Sequence, residues 1–439
     1  MPAGPCTGAT RAGAAVRSEE RRVVEVDGHP VAQNAAAKKA CQSRRVRVLA
    51  LTPRLPYPPL GGDKLRALEL LSRLSTRHEV QLVSFVESDA ERAHARELVR
   101  RHPGISVETV VLTPWQSRLL ALRGVPSSLP LQVHYYRSAR MRALVERKLT
   151  ETRYDAVYVH LLRMAQYVER ARGPRRVLDM TDAVSMLYER AHRMRRDWLR
   201  PFNALEVGRL RRYELRLAHE FEHTALVSDV DRDWLIANGA PAERLELVHL
   251  GVDRAYYAPR ASGYEPLRAV FVGNLRSFPN SDAAQFLVRD IFPRIRSEEK
   301  EACIDIVGVN PPPALRALSG RDGVTVTGAV DDVRPFVERA AVSLCPVRAA
   351  GGVQFKILEA LALGVPVVTS PEGFEGLGAR GEEDGVCVAR GAAEFALLSL
   401  ELMRDGARRR ELGARGARFI AEHYDWDRQV DRLESLLRG

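Results

Sequence analysis

The chain has 439 residues, of which 45% are apolar and 28% are charged, and its formal net charge is +11. This length exceeds what one hydrophobic core usually holds, so two domains are expected. The charge favours anionic partners such as nucleotides or an acidic membrane surface, and no nucleic-acid-binding motif accompanies it. No apolar run of about 18 residues is present to span a membrane, and the N-terminus lacks the apolar segment of a secretory signal, so a cytoplasmic location is expected.

Cysteine and histidine spacings indicate neither a disulfide framework nor a metal site. The five cysteines form no CxxC pair, and an odd number of them is typical of a reducing compartment. The eleven histidines lack metal-binding spacings such as HExxH. We therefore expect no metal and no bound cofactor.

In chain order, residues 1–44 are rich in Ala, Gly, Arg and Ser without sustained periodicity, which predicts a disordered tail. The first predicted domain covers residues 45–250 and opens with the apolar strand Val46–Leu51 and a loop rich in Pro and Gly. Leucines at helical spacing over Leu65–Leu74 and a strand at Val80–Phe85 complete a βαβ unit, which implies a parallel sheet. Further strands are predicted at Val107–Leu112, Ala156–His160, Arg176–Asp179 and Thr224–Ser228.

A basic helical region follows over Arg190–Arg216, where arginines are mixed with Met194, Trp198 and Phe202. Basic residues with interspersed aromatic ones can lie on an anionic bilayer. A solvated helix face is the alternative interpretation of the same pattern.

A linker at residues 251–263 precedes the second predicted domain, residues 264–420, which repeats the alternation of strands and helices. Its strands are predicted at Ala269–Val272, Cys303–Val307, Val324–Thr327, Val342–Pro346, Val365–Thr369 and Val386–Val388. Its helices are predicted at Asp282–Arg296, Val333–Arg339, Gln354–Leu363 and Ala392–Asp405, with a charged helix over Ala407–Leu437 that is interrupted near Tyr424. The fold class is therefore α/β, with two doubly wound, Rossmann-like domains that face a central cleft.

The strongest chemical signal lies between Cys345 and Val368, where a strand, a glycine turn, a helix and a second strand follow one another. Gly351 and Gly352 let the backbone approach a ligand closely. Lys356 falls in the first helical turn, where a cation beside free backbone N–H groups suits a phosphate. Glu359 lies at i+3 on the same face and, as an acceptor only, suits a pair of hydroxyls. The pattern predicts a site for a nucleotide diphosphate; an intrahelical Lys–Glu pair is the alternative.

Other loops at strand ends supply weaker candidates. In the second domain these are Gly273 and Asn274 with Arg276 nearby, Ser281 as a helix cap, the backbone around Val330 for a base edge, and Arg348. In the first domain they are Gly61, Gly62 and Lys64 on the acceptor side, His160 at a strand end, and Asp182, which suits a base or a sugar-orienting carboxylate but equally a helix cap. The chain contains no GxxxxGK[ST] loop, no GxGxxG after a strand and no GxSxG elbow, which argues against an NTPase, a Rossmann dehydrogenase and an α/β-hydrolase.

At these residues the sequence resembles the GT-B glycosyltransferases of family 4. The motifs that carry the resemblance are Gly351–Ala360 with Gly364–Val368, Phe271–Asn274 with Pro279–Ala283, His249–Asp253, Tyr424–Trp426 and Pro56–Lys64. Within that family the sequence resembles the sugar transferases of bacterial exopolysaccharide (PEP-CTERM-associated) clusters. The resemblance covers about residues 45–439.

The resemblance implies a hexosyltransferase that moves a sugar with retention from a nucleotide-diphosphate donor to an acceptor hydroxyl, without a metal. Lys356, helped by Arg276 or Arg348, would stabilise the leaving diphosphate, and Glu359 would hold the ribose. Residues 421–439 would cross back onto the first domain. A cell-surface polysaccharide would be the product, made by a peripheral protein on the inner membrane that meets a lipid-linked acceptor.

The sequence departs from the family pattern at three places. Gly351 stands where the family often carries a glutamate that contacts the donor sugar. In the loop after the first strand of the second domain, where the family often has an Arg and a Lys, only Arg276 is present. In the first domain, Thr181 stands where the family frequently has a histidine. These departures keep two alternatives open: a degenerate GT-B protein that binds a nucleotide without transfer, and a nucleotide-sugar epimerase.

Overall fold

The computed structural model describes residues 45–59, 61–194, 200–259 and 263–439. The predicted tail of residues 1–44, Leu60, residues 195–199 of the basic region and residues 260–262 of the linker lie outside the described residues.

The first sheet consists of parallel strands in the order β3-β2-β1-β4-β5-β6-β7. Val48 in its centre lies opposite Val80 on one side and Ala156 on the other. The strands are β1 Arg47–Thr52, β2 Glu79–Val86, β3 Ile105–Val111, β4 Ala156–His160, β5 Arg175–Thr181, β6 His223–Leu226 and β7 Leu245–Leu247. Since β1 and β4 are apolar and almost wholly buried, they form the continuous runs that a doubly covered parallel sheet requires.

The second sheet is also parallel, with the strand order β10-β9-β8-β11-β12-β13. Its strands are β8 Glu265–Val272, β9 Cys303–Val307, β10 Val324–Gly328, β11 Ala340–Cys345, β12 Val367–Thr369 and β13 Val386–Val388. In both sheets the strand order reverses beside the first strand, which creates a switch point where ligands bind in such folds. The predicted α/β class with two doubly wound sheets is confirmed.

Helices cover the sheets. Around the first sheet they are α1 Gly62–Arg77, α2 Arg92–Arg101, α3 Pro114–Arg123, α4 Leu131–Tyr135, α5 Ala139–Glu151, α6 Val184–Met194, α7 Arg200–Glu220 and α8 Asp229–Ala237. The later ones are α9 Phe278–Phe286, α10 Phe292–Glu298, α11 Pro313–Arg316, α12 Arg334–Glu338, α13 Phe355–Ala362, α14 Pro371–Phe374, α15 Ala392–Arg404, α16 Gly406–His423 and α17 Trp426–Arg438.

Two details differ from the sequence predictions. Ser281 does not cap a helix, because α9 begins three residues earlier at Phe278, and the Ser281 hydroxyl instead accepts a bond from Gln285 inside the helix. Arg209, in the basic region, is 4% exposed and bonds to Glu206 at 2.8 Å, so it belongs to neither a solvated nor a membrane-facing surface.

The chain leaves the second sheet and returns to the first through α17. Arg77 at the end of α1 donates to Glu434 of α17 at 3.0 Å, and the backbone N–H of His249 donates to Gln429 of the same helix at 2.8 Å. Asp425 caps α17 by accepting a bond from the Arg428 N–H at 3.1 Å. No helix of the described residues has the length and apolar character needed to cross a membrane.

Candidate nucleotide-sugar site

Lys356 lies in the first turn of α13, as predicted, at the carboxyl end of β11. Its ammonium donates to Oδ1 of Asn280 at 2.9 Å and to Oε1 of Gln354 at 3.0 Å. An ammonium has three N–H donors, so one remains for a ligand after these two contacts. Lys356 is thus held in place while keeping a donor and its charge at a helix N-terminus, where an anion is favourable.

The loop after β8 holds Asn280 in position. Nδ2 of Asn280 donates to the carbonyl of Asn274 at 3.1 Å, and Oδ1 of Asn274 accepts from the Arg276 backbone N–H, also at 3.1 Å. A Cβ atom at Gly273 would lie 2.9 Å from Cγ of Asn280, closer than real contacts allow. Gly273 is therefore required here because the Asn280 side chain occupies the space beside it.

Glu359 lies one turn beyond Lys356 and accepts a hydrogen bond from the hydroxyl of Tyr257, in the segment between the two sheets. Burial raises the pKa of Glu359 to about 7, although the Tyr257 hydroxyl and the Lys356 charge both favour its ionised form. Burial and the Glu359 carboxylate together raise the pKa of Tyr257. Glu359 is half-buried, and a carboxylate with a remaining acceptor oxygen is suited to the hydroxyls of a ribose.

The two arginines predicted for this region differ in their contacts. Arg348 is already engaged, since its guanidinium makes a bidentate ion pair with Asp282 at 2.9 and 2.7 Å. Arg276 is exposed, and its guanidinium has no hydrogen-bond or ion-pair partner among the described residues. Of the two, Arg276 is the cation that is free to meet a phosphate. Val330 is half-buried in the segment after β10.

The glycine turn before α13 touches the first half of the chain. The Gly352 N–H donates to Oδ2 of Asp231 at 3.1 Å, and Gly352 has a positive φ of 61°. A Cβ atom there would lie 1.8 Å from Oδ1 of Asp182, and one at Gly351 would lie 3.4 Å from Cβ of Leu187. The carboxyl ends of the two sheets therefore meet at this turn, and only glycine fits at position 352.

Asp182 and Asp231 lie close together at that contact. Burial, followed by the Asp231 carboxylate, raises the pKa of Asp182. Burial also raises the pKa of Asp231, although Ser228 and the backbone N–H groups of Ala183 and Gly352 donate to its carboxylate. The two carboxylates together thus favour retaining a proton, and Asp231 also fixes the turn.

His160 is 2% exposed and belongs to a buried polar cluster around Asp179. Its Nδ1 lies 3.5 Å from Oδ2 of Asp179, which also accepts from Arg66 at 2.9 Å and from the Tyr158 hydroxyl. Burial opposes the charged form of Asp179, yet the Arg66 guanidinium beside it holds the pKa of that carboxyl well below its usual range. Nε2 of His160 is buried without a hydrogen-bond partner among the described residues.

The loop that was predicted to lie on the acceptor side follows β1. Gly61 has a φ of 109° and precedes α1, whose first residue is Gly62. Lys64 lies in the first turn of α1, where burial and the nearby Arg54 lower its pKa. The two glycines and Lys64 are thus at the carboxyl edge of the first sheet.

No group of three or more His, Cys, Asp or Glu side chains in the described residues is arranged to hold a metal ion.

Sequence reasoning missed three residues of this site: Asn280, Tyr257 and Asp231. Each acts through a partner distant in the chain, namely Lys356, Glu359 and Gly352, at separations of 76, 102 and 121 residues. For Asn280 a signal was present, since Pro279–Ala283 carried part of the family resemblance.

Comparison with solved structures places this geometry in context. The chain is similar to the Anabaena protein Alr3699/HepE in complex with UDP and glucose, at a TM-score of 0.64 and 15% identity, over 90% of this chain and 100% of that one. It is also similar to a sucrose-phosphate synthase from Thermosynechococcus elongatus, at a TM-score of 0.69 and 14% identity, over 90% and 98% of the two chains. The fold is GT-B.

Sequence comparison finds a family match over part of the chain. Within the GT-B chain, residues 266–405 match the family described as "Glycosyl transferases group 1". A stretch of 246 residues is 28% identical to the GDP-mannose-dependent alpha-(1-6)-phosphatidylinositol monomannoside mannosyltransferase of Mycobacterium tuberculosis. That match covers 51% of this chain and 63% of the relative, so the chain spans less than two thirds of its length. These findings support the prediction of a glycosyltransferase.

Proposed function

We propose that the protein transfers a hexose from a nucleotide-diphosphate-sugar to an acceptor hydroxyl, with retention of the anomeric configuration. The observation that carries the proposal is the pairing on α13 of a fixed ammonium, Lys356, with a half-buried carboxylate, Glu359, one turn away. This pairing suits the two polar ends of a nucleoside diphosphate. Similarity to a GDP-mannose-dependent enzyme and to a protein that binds UDP and glucose supports a nucleotide-sugar donor.

In the proposed reaction, negative charge grows on the diphosphate as the bond to the sugar breaks. The free donor of Lys356, the N-terminus of α13 and the exposed Arg276 stabilise that charge without having to move. Glu359 accepts from the ribose hydroxyls, and Gly273 and Asn274 keep the backbone close to the phosphates. The backbone at Val330 meets the base edge.

The acceptor approaches from the first sheet, past Gly61, Gly62 and Lys64. Asp182 and His160 lie at the carboxyl edge of that sheet, where they can orient the acceptor hydroxyl or the donor sugar. A lipid-linked acceptor in exopolysaccharide synthesis at the inner membrane is proposed. It is in keeping with the relative's name, which specifies a phosphatidylinositol-based acceptor.

A second candidate is a GT-B protein that binds the nucleotide without transferring the sugar. Position 351 is glycine, so no carboxylate reaches the donor sugar from this residue of the turn. A nucleotide-sugar epimerase is the remaining alternative, because such an enzyme would use the same donor contacts.

A turnover assay separates the three candidates. UDP-, GDP- and ADP-sugars are incubated with the protein, with and without a polyprenyl-diphosphate-linked sugar, and the released nucleotide and sugar products are analysed. If the protein transfers the sugar, nucleotide release should depend on the acceptor and should be lost in Lys356→Ala. An epimerised sugar formed without acceptor would favour the epimerase, and nucleotide binding without any product would favour the binding protein.

A further inference from the structure

An exposed apolar face on α3 has no role in the proposed site. Trp115, Leu119 and Leu122 are 64%, 41% and 68% exposed. At 100° per residue these three positions fall within about 60° of the helix circumference, with Arg118 and Arg123 on either side of them. Large apolar side chains at such exposure, grouped on one helix face, mark an interaction surface rather than ordinary solvent exposure.

The exposed face continues towards α7. The carbonyl of Val125, which is 38% exposed, accepts a bond from the Arg209 guanidinium of α7. On α7, Phe202 and Leu205 lie one to two turns before Arg209 and are 38% and 46% exposed. The segment after α3 is thus fixed to a helix that presents apolar side chains of its own.

The ionised side chains of the chain segment around α3 all have one sign. Residues 109–145 contain five arginines and neither aspartate nor glutamate, although the whole chain has 56 acidic residues. The side chains of Arg118 and Arg123 are exposed and make no ion pair with any described residue. Apolar side chains flanked by unpaired arginines are the pattern of a helix that lies in the interface of an anionic bilayer.

We propose that the α3 face, defined as Trp115, Leu119 and Leu122 with Arg118 and Arg123, docks the protein on an anionic lipid membrane. A second copy of the chain fits this surface less well, because a two-fold contact would bring the same arginines against each other.

The position of the α3 face in the fold suits membrane docking. α3 begins at Pro114, shortly after β3 ends at Val111, and therefore at the carboxyl edge of the first sheet.

Docking at that edge brings the acceptor-side loop after β1 close to the lipid surface, because the carboxyl ends of parallel strands lie at one edge. The surface differs from the basic region Arg190–Arg216, where Arg209 is buried. The docking proposal is independent of sugar transfer, since it needs neither donor nor acceptor.

The test is co-sedimentation of the full chain with vesicles. Vesicles of equal parts phosphatidylcholine and phosphatidylglycerol should bind the protein, those of phosphatidylcholine alone should bind it much less, and added salt should weaken binding. Leu122→Ser should weaken partitioning about tenfold, because a leucine no longer enters the bilayer. Arg118→Gln should weaken it about fivefold on the anionic vesicles only.

Leu397→Ser is the matched control, because Leu397 on α15 is 57% exposed and lies on the other half of the chain. It should bind vesicles as the wild type does, and thermal unfolding should show that all variants are folded. Equal binding to both vesicle types, no binding at all, or equal weakening by Leu397→Ser would overturn the proposal. So would a concentration-dependent dimer, seen by sedimentation velocity, that Leu122→Ser abolishes while vesicle binding stays unchanged.

Discussion

Asn280 and Lys356 offer a sharp test of the proposed donor site, because the proposal gives them unequal roles. The Lys356 ammonium would contact the ligand directly, whereas Asn280 would act by holding that ammonium, which it contacts at 2.9 Å. We therefore expect both alanine substitutions to weaken nucleotide diphosphate binding. Asn280→Ala should have little further effect once Lys356 has been removed.

The magnitudes follow from the bonds that are lost. A hydrogen bond to a charged group contributes about 1.5–3 kcal/mol, and 1.4 kcal/mol is tenfold in affinity, so Lys356→Ala should raise Kd roughly 10- to 140-fold. Asn280→Ala leaves the charge and the Gln354 contact, and an ordinary bond of about 0.5–1.5 kcal/mol corresponds to a loss of roughly 2- to 12-fold. The double variant should match Lys356→Ala alone.

Calorimetric titration with UDP, GDP and ADP measures these constants, and thermal unfolding checks them. A ligand at 100 times its Kd stabilises the wild type by about 2.7 kcal/mol, and a hundredfold weaker Kd reduces this to about 0.4 kcal/mol. Lys300→Ala is the control, since Lys300 is exposed just after α10. Equal effects of Asn280→Ala with and without Lys356 would refute the view that Asn280 acts through the ammonium.

Three further outcomes are expected. Nucleotide affinity should rise as pH increases through about 7, because burial raises the pKa of the Glu359 carboxyl to about 7 and the ionised carboxylate accepts from ribose hydroxyls more strongly than the protonated acid does; titration of Glu359→Gln should lack this rise. Gly352→Ala should lower the free energy of unfolding in urea by about 1–3 kcal/mol, since it forces a side chain into a positive φ and against Asp182. Arg66→Met should cost about 3–5 kcal/mol in the same assay, because it leaves the Asp179 carboxylate buried without its cation.

Each of these outcomes has a result that would contradict it. A pH profile of nucleotide binding that is the same in Glu359→Gln and wild type would assign the titration to the nucleotide itself. Gly239→Ala is the control for Gly352→Ala, because Gly239 has a φ of 103° but no atom near its Cβ position. If both variants lost the same free energy of unfolding, backbone strain alone, and not the contact with Asp182, would explain the loss. If Arg66→Met proved no less stable than wild type, the Asp179 cluster would not depend on the ion pair.

Much of the fold follows from local patterns in the sequence. The strand predicted at Val46–Leu51 is observed as Arg47–Thr52, because a buried parallel strand has to be a continuous apolar run. The position of Lys356 in the first turn of α13 was likewise predictable, since the glycine turn and the following apolar spacing determine where the helix begins. Signals of this kind lie within about ten residues of one another.

The rest depended on contacts between distant residues or on weak periodicity. No helix was predicted at α3, because its apolar residues face solvent and the pattern lacks the contrast between a buried and a polar face. Ser281 looked like a helix cap because it precedes the helix predicted to begin at Asp282, but Phe278 and Pro279 already begin the helix. The role of Tyr257 could not be seen, since only the tertiary fold brings it to Glu359.

The return of α17 to the first sheet has a consequence for the order of folding during synthesis. Val430, Leu433 and Leu437 of this helix are almost completely buried, and α17 lies against α1 near the start of the described chain. A ribosome makes α17 only after both sheets. The surface of α1 that it covers is therefore open to water, or to a chaperone, for most of translation. The first half to emerge would accordingly be among the last parts to reach its native stability.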